Sequence, residues 1–148
     1  MIKIIRLVFF IGILIWIIGI LSPCLNVRNP ILLIFTDQIY SAVCHQNPDK
    51  SFLCGSNFLF VCARCFGIYI GALSCSFIIL FYKNRFRLNL IPLIISAVPL
   101  LLDVLLTSFH IYAYTHIVSF LTGVLFGSTS FIYILSVIEN SYSESFKR

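Results

Sequence analysis

Cys62 and Cys65 stand one helical turn apart in the run Cys62-Ala63-Arg64-Cys65-Phe66-Gly67, and Cys44 and His45 open the run Cys44-His45-Gln46-Asn47-Pro48. Two cysteines at a C-x-x-C spacing can share one metal ion or close a disulfide. They fall at the expected start of a helix, where the helix dipole stabilises a thiolate, and Arg64 between them adds positive charge. Both effects lower a thiol pKa and serve metal binding and thiol exchange alike. A structural zinc site takes four nitrogen or sulfur ligands. Cys44, His45, Cys62 and Cys65 supply that number and those types, which makes zinc the candidate cofactor, although adjacent residues seldom both face one ion. The redox alternative draws on Cys62, Cys65, Cys44 and Cys54, whose four thiols allow three pairings. The spacing does not choose between a disulfide and a metal. Phe66 stands where covalent haem attachment needs a histidine. Cys24 and Cys75 read as small buried hydrophobes.

The elements that position these residues follow from composition. Hydrophobic residues make up 60% of the 148-residue chain and charged residues 10%, with a mean hydropathy of +1.05. Ordinary globular proteins carry roughly 45–50% and about 25%. So few charges cannot cover the surface of a chain this size, and the excess apolar surface must face lipid. A soluble enzyme, a nucleic-acid module, a disordered tail and a small secreted disulfide domain are all excluded. The net charge of +5 does not argue for nucleic acid, because the bases sit at the ends of apolar runs.

A bilayer core of about 30 Å takes roughly 20 apolar residues in helical form. Spans are expected over about 4–22, 62–82, 88–106 and 116–138. The first has the basic start of a signal peptide, but its apolar stretch is too long and no A-x-A-like cleavage site follows. It reads as a retained helix ending near Ser22-Pro23. The piece 31–43 is too short to cross and is interrupted by Asp37, Gln38 and Tyr40, so it reads as an interfacial or re-entrant helix. The fold class is all-α: one polytopic membrane domain of four transmembrane helices plus that short helix.

Lys3, Arg6, Lys83, Arg85, Arg87, Lys147 and Arg148 fall on one side of such a bundle, and Arg28, Lys50 and Arg64 on the other. The positive-inside rule then puts both termini in the cytoplasm and the protein in the inner, cytoplasmic membrane. The cysteine-rich loop faces outward, where oxidation is permitted. Asp103 is the only formally charged residue set inside an apolar run, and an ionisable group at that depth is a functional candidate. His110 and His116 lie at the same outer boundary. Gly67 with Gly71, and Gly123 with Gly127, have the small-residue spacing that lets transmembrane helices approach closely. If these pairs face each other, the turn bearing Cys62 and Cys65 lies near His116. Cys44, His45, Cys62, Cys65, Asp103 and His116 are then expected to converge on one outer pocket.

Over Cys44 to Gly71 the sequence resembles the small bacterial and archaeal membrane proteins grouped as domain of unknown function 2085. Their pattern is CHQ-x-P-x-R/K-S-F followed by CARC-x-G-I-Y-x-G, and Asp103 and Thr122-Gly123 are weaker echoes. Two positions depart from that pattern: Val104 replaces a glycine after the aspartate, and Ser119 stands where arginine is common. The resemblance implies a membrane setting and a Cys/His motif, and no reaction. The leading expectation is a metal-binding or thiol–disulfide module at the outer face. The alternatives are a small oligomeric transporter or channel using Asp103, and a structural assembly factor with a disulfide-locked loop. An enzyme would need a further base and a substrate cleft, which leans against one. The expected partner is the lipid bilayer and not nucleic acid; a homo-oligomer or a further membrane partner is left open by the sequence, and the transporter alternative requires an oligomer.

Overall fold

The computed structural model describes residues 2–25, 30–55, 57–82, 89–109 and 111–145. In chain order it forms α1 (Ile2–Ile20), α2 (Pro30–Ser41), a hairpin of β1 (Ser51–Cys54) and β2 (Asn57–Cys62), then α3 (Ala63–Phe81), α4 (Leu90–Ser108) and α5 (His116–Ser145). Helices α1, α3, α4 and α5 are long and apolar enough to cross a membrane, whereas α2 has 12 residues and is too short. The molecule is an all-α polytopic membrane protein. Arg28, Lys83, Arg85, Arg87, His110, Lys147 and Arg148, used above for orientation and site, lie outside the described residues.

Helices α3 and α5 form the centre of the bundle, and their glycines explain why. A Cβ on Gly67 would sit 2.3 Å from the Phe120 carbonyl oxygen, and one on Gly127 would sit 2.1 Å from that of Ile68. Gly71 and Gly123 meet Val124 and Arg64 in the same way. The two glycine pairs therefore face each other and bring the backbones into contact, as small-residue interfaces do. Ile79, Phe131 and Leu135 continue the seam as a buried cluster, against which Phe9 of α1 packs edge-on to Phe131. Ser96 of α4 bonds to Thr129 of α5.

Two features differ from the sequence reading. Within the cysteine-rich loop expected to be without strands, Ser51–Cys54 and Asn57–Cys62 pair as a hairpin. Gly55 takes a left-handed φ of 62° at its tip, a conformation that costs glycine little. Phe52, Phe58, Phe60 and Val61 on either side of Gly55 carry the aromatic and β-branched signal of paired strands. Charge inside the spans is also not confined to Asp103. Arg6 of α1 forms a bidentate pair with Glu139 of α5, at 2.7 Å and 3.1 Å, with both side chains at least 95% buried. The same guanidinium donates to the carbonyls of Ile79 and Tyr82 at the C-terminal end of α3, where the Ile79 carbonyl also accepts from the Tyr82 amide. This pair extends α5 well past 138, because Glu139 has a partner within the bundle.

Candidate metal centre

The strand β2 runs directly into α3, with Cys62 as the residue capping the helix in an extended conformation (ψ 160°). Cys62 and Cys65 thus lie on the first turn of α3, where the free amides and the dipole favour negative charge. Cys44 arrives from the opposite direction. Helix α2 ends at Ser41, the Cys44 amide bonds to the Tyr40 carbonyl, and Gln46 turns into the left-handed region with a φ of 44°. The Gln46 side chain holds this turn by donating to the Asp37 carbonyl of α2 at 3.1 Å. Asn47 then caps a single 3-10 turn, accepting from the Asp49 amide, and Ser51 donates back to the Asn47 carbonyl. The residues between Cys44 and β1 are thus a folded connector that returns the chain to the hairpin.

The result is that the sulfurs of Cys44, Cys62 and Cys65 lie within 4.8 Å of one another. A metal about 2.3 Å from each sulfur needs them about 4 Å apart, so the group is within reach of one ion. Cys44 is buried, in a cluster with Ile20, Tyr40, Leu59 and Val61 that is walled by Trp16, Phe60, Phe66 and Tyr69. The Tyr40 hydroxyl donates to the Trp16 carbonyl at 2.8 Å, tying α2 to α1 beneath the cysteines. The Cys44 thiol is held far below the usual thiol range. Hydrogen bonds from the Cys62 and Cys65 thiols are the main cause, backed by the backbone amides of Cys62 (3.3 Å) and Gln46 against the opposing effect of burial. Cys62, which donates to that sulfur, is pushed up in turn. The arrangement thus favours negative charge on the Cys44 sulfur, with the Cys62 and Cys65 thiols as its donors.

The other expected site residues distribute differently. His45 is exposed and stands outside the group: the buried Cys44 side chain faces inward, and its neighbour along the chain turns away. Cys54 pairs with Cys24, not with the triad, closing a disulfide across 30 residues that fastens the hairpin tip to the end of α1. This corrects the reading of Cys24 as a packing hydrophobe. It also removes Cys54 from the redox set, since the hairpin register puts Cys54 opposite Asn57 and Cys62 opposite Ser51, at opposite ends of the ladder. Cys75 remains free on α3, below the triad. His116 packs against the rings of Phe52 and Tyr114.

Asp103 is buried at the site end of the bundle and is fully engaged. One carboxylate oxygen accepts from Arg64 at 2.6 Å and from Ser119 at 2.7 Å, and the other accepts from the Tyr112 hydroxyl. Tyr112 is correspondingly pushed up, because its proton is bonded to the carboxylate. Arg64, placed by sequence between two cysteines as a positive charge for them, spends its guanidinium on Asp103. It thereby ties the sulfur-bearing turn of α3 to α4 and α5. Sequence reasoning singled out Asp103 as a site candidate, read Arg64 as a charge for the cysteines and Ser119 as a departure from the family pattern, and missed Tyr112 and the pairing. A lone arginine in an apolar helix and a lone aspartate in another were the available signal.

A family model described as predicted membrane protein (DUF2085) matches residues 44–133, from the first cysteine of the triad into α5. The chain belongs to this family. An uncharacterised protein of Methanocaldococcus jannaschii is 35% identical over 112 residues, covering 74% of this chain and 72% of that protein. No solved structure matches. The matched region begins at Cys44 and contains every residue of the sulfur triad and of the Asp103 network.

Proposed function

We propose that this DUF2085 protein is a membrane-embedded metal-binding module whose Cys44, Cys62 and Cys65 hold one thiophilic ion, zinc or a softer metal, at the outer face of the cytoplasmic membrane. The observation that carries the proposal is the approach of three sulfurs to within 4.8 Å from three separate local structures: a loop, a strand end and a helix turn. Three thiols so placed have little packing reason to converge, and metal binding gives them one. The outward orientation is supported by the distribution of basic residues and by the Cys24–Cys54 disulfide, which belongs to an oxidising compartment. In such a compartment neighbouring free thiols oxidise unless a ligand holds them. The zinc expectation with His45 as fourth ligand is weakened by the exposure of that residue.

A dithiol–disulfide cycle among the same three sulfurs is the second reading, favoured by the lowered pKa of Cys44 and by the approach of the other two thiols to it. Asp103 offers a transporter less, since both carboxylate oxygens already have donors. Metal analysis of the protein purified in detergent, with thiols counted before and after reduction, tests the proposal. One bound ion per chain and four masked or free thiols without reduction support it. A triad that yields two further thiols only on reduction, with no ion, selects the redox cycle instead.

A further inference from the structure

The triad is the only group of three or more close metal-ligating side chains found among the described residues, and it has no fourth member. The other residues expected as ligands stand outside it. His45, adjacent to Cys44, is exposed; Asp103 has Arg64, Ser119 and Tyr112 on its two oxygens; His116 lies against Phe52 and Tyr114; and Cys24 and Cys54 are bonded to each other. The walls are mostly aromatic and aliphatic, with Trp16, Phe60, Phe66 and Val61 around the buried Cys44 and the rings of Tyr40 and Tyr69 beside them; the Tyr40 hydroxyl is spent on the Trp16 carbonyl. A lining of this kind suits soft sulfur donors better than a shell of hard oxygen ligands.

Metal preference follows from this donor set. A structural zinc site closes with four ligands, and a catalytic one holds water in the fourth position. Soft thiolate donors select copper(I) as well as zinc, and coordination number and geometry then decide between them. We infer that the three-sulfur, apolar-walled centre takes a monovalent, soft d10 cation, copper(I) by class, in preference to zinc. The inference rests on the metal-binding reading above and narrows it. The first-turn position of Cys62 and Cys65 and the backbone amides aimed at Cys44 stabilise the sulfur charge that such a low-charge ion leaves uncompensated. Binding involves no change of oxidation state: the ion enters as copper(I), sulfur–metal bonds form, and thiol protons are released to solvent.

The test uses the full chain in detergent, reduced and without oxygen, with the Cys24–Cys54 disulfide checked by gel mobility. Copper(I) is delivered from a competing chelator and zinc as its chloride, each alone and then together with zinc in about a hundredfold excess. X-ray absorption reads the donors. The expected result is one copper per chain, surrounded by three sulfurs and retained in the presence of zinc, with Cys65→Ser losing it and Cys75→Ser keeping it. Zinc displacing copper, or zinc held by three sulfurs plus a nitrogen or oxygen, overturns the inference and leaves the metal-binding reading standing. Binding of neither metal by protein whose helical circular dichroism is intact overturns both. If Cys65→Ser does not fold, the donor count from wild type alone decides.

Discussion

Gly123→Ala tests whether the helix contact positions the sulfur centre. A Cβ at Gly123 would lie 2.4 Å from the Arg64 carbonyl oxygen and 3.2 Å from the Ile68 amide nitrogen. Ordinary contact begins at 3.4 Å, so α3 must retreat by about 1 Å at the turn between Cys62 and Cys65. Gly12→Ala is the control, because nothing lies within 4 Å of a Cβ at Gly12. Both substitutions gain helix propensity of about 1 kcal/mol, so their difference isolates the steric term, expected at about 1–3 kcal/mol. Metal sites tolerate ligand displacements of only about 0.2 Å. Gly123→Ala should therefore lose metal affinity even where the bundle survives. Denaturant titration in mixed micelles followed by circular dichroism reads the first effect, and competition with a chelator reads the second. Equal stability and equal affinity for the two variants would refute the positioning role of the glycine contact.

Three further outcomes follow from the electrostatics. Asp103→Asn should destabilise the bundle by about 2–4 kcal/mol, less than a fully buried pair because Arg64 is 21% exposed, and Asp103→Asn with Arg64→Met should recover part of that loss; a double-mutant cycle measures the coupling. Glu139→Gln leaves Arg6 charged at 5% exposure and should cost about 3–5 kcal/mol, while Arg6→Met with Glu139→Leu returns toward wild type in the same unfolding assay. Metal-free, reduced protein should show ultraviolet thiolate absorbance from one sulfur at pH 6, where an ordinary thiol of pKa about 8.5 is protonated. The sign follows from the depressed Cys44 pKa: the thiolate persists as pH falls below the usual thiol range, and Cys44→Ser should abolish it.

Much of the fold was legible because apolar runs of span length have one physical solution in a membrane, a helix with all its backbone bonds internal. The helices Ala63–Phe81 and Leu90–Ser108 lie close to the runs 62–82 and 88–106 for that reason. The glycine spacing also carried real information: once α3 and α5 run side by side from the same end, Gly67, Gly71, Gly123 and Gly127 have few other uses. Pairings were less legible, since sequence shows residue types and spacing but not what lies opposite. Cys24 looked like any buried thiol until the hairpin carried Cys54 back to the end of α1. Arg64 looked like a charge for its flanking cysteines, yet its long side chain reaches Asp103 on another helix. Arg6 counted only as an orienting charge and its pairing with Glu139 escaped notice, because each sits at the edge of its apolar run, 133 residues from its partner. His45 had the right chemistry for a ligand and the wrong direction, set by the buried cysteine beside it.

The most direct measurement of the central claim is metal stoichiometry across single cysteine variants of the purified protein. Cys44→Ser, Cys62→Ser and Cys65→Ser should each fall from one bound ion per chain toward none, while Cys75→Ser, whose sulfur lies outside the triad, stays at one. Equal metal content in all four, or none in the wild type, would contradict a shared three-sulfur centre.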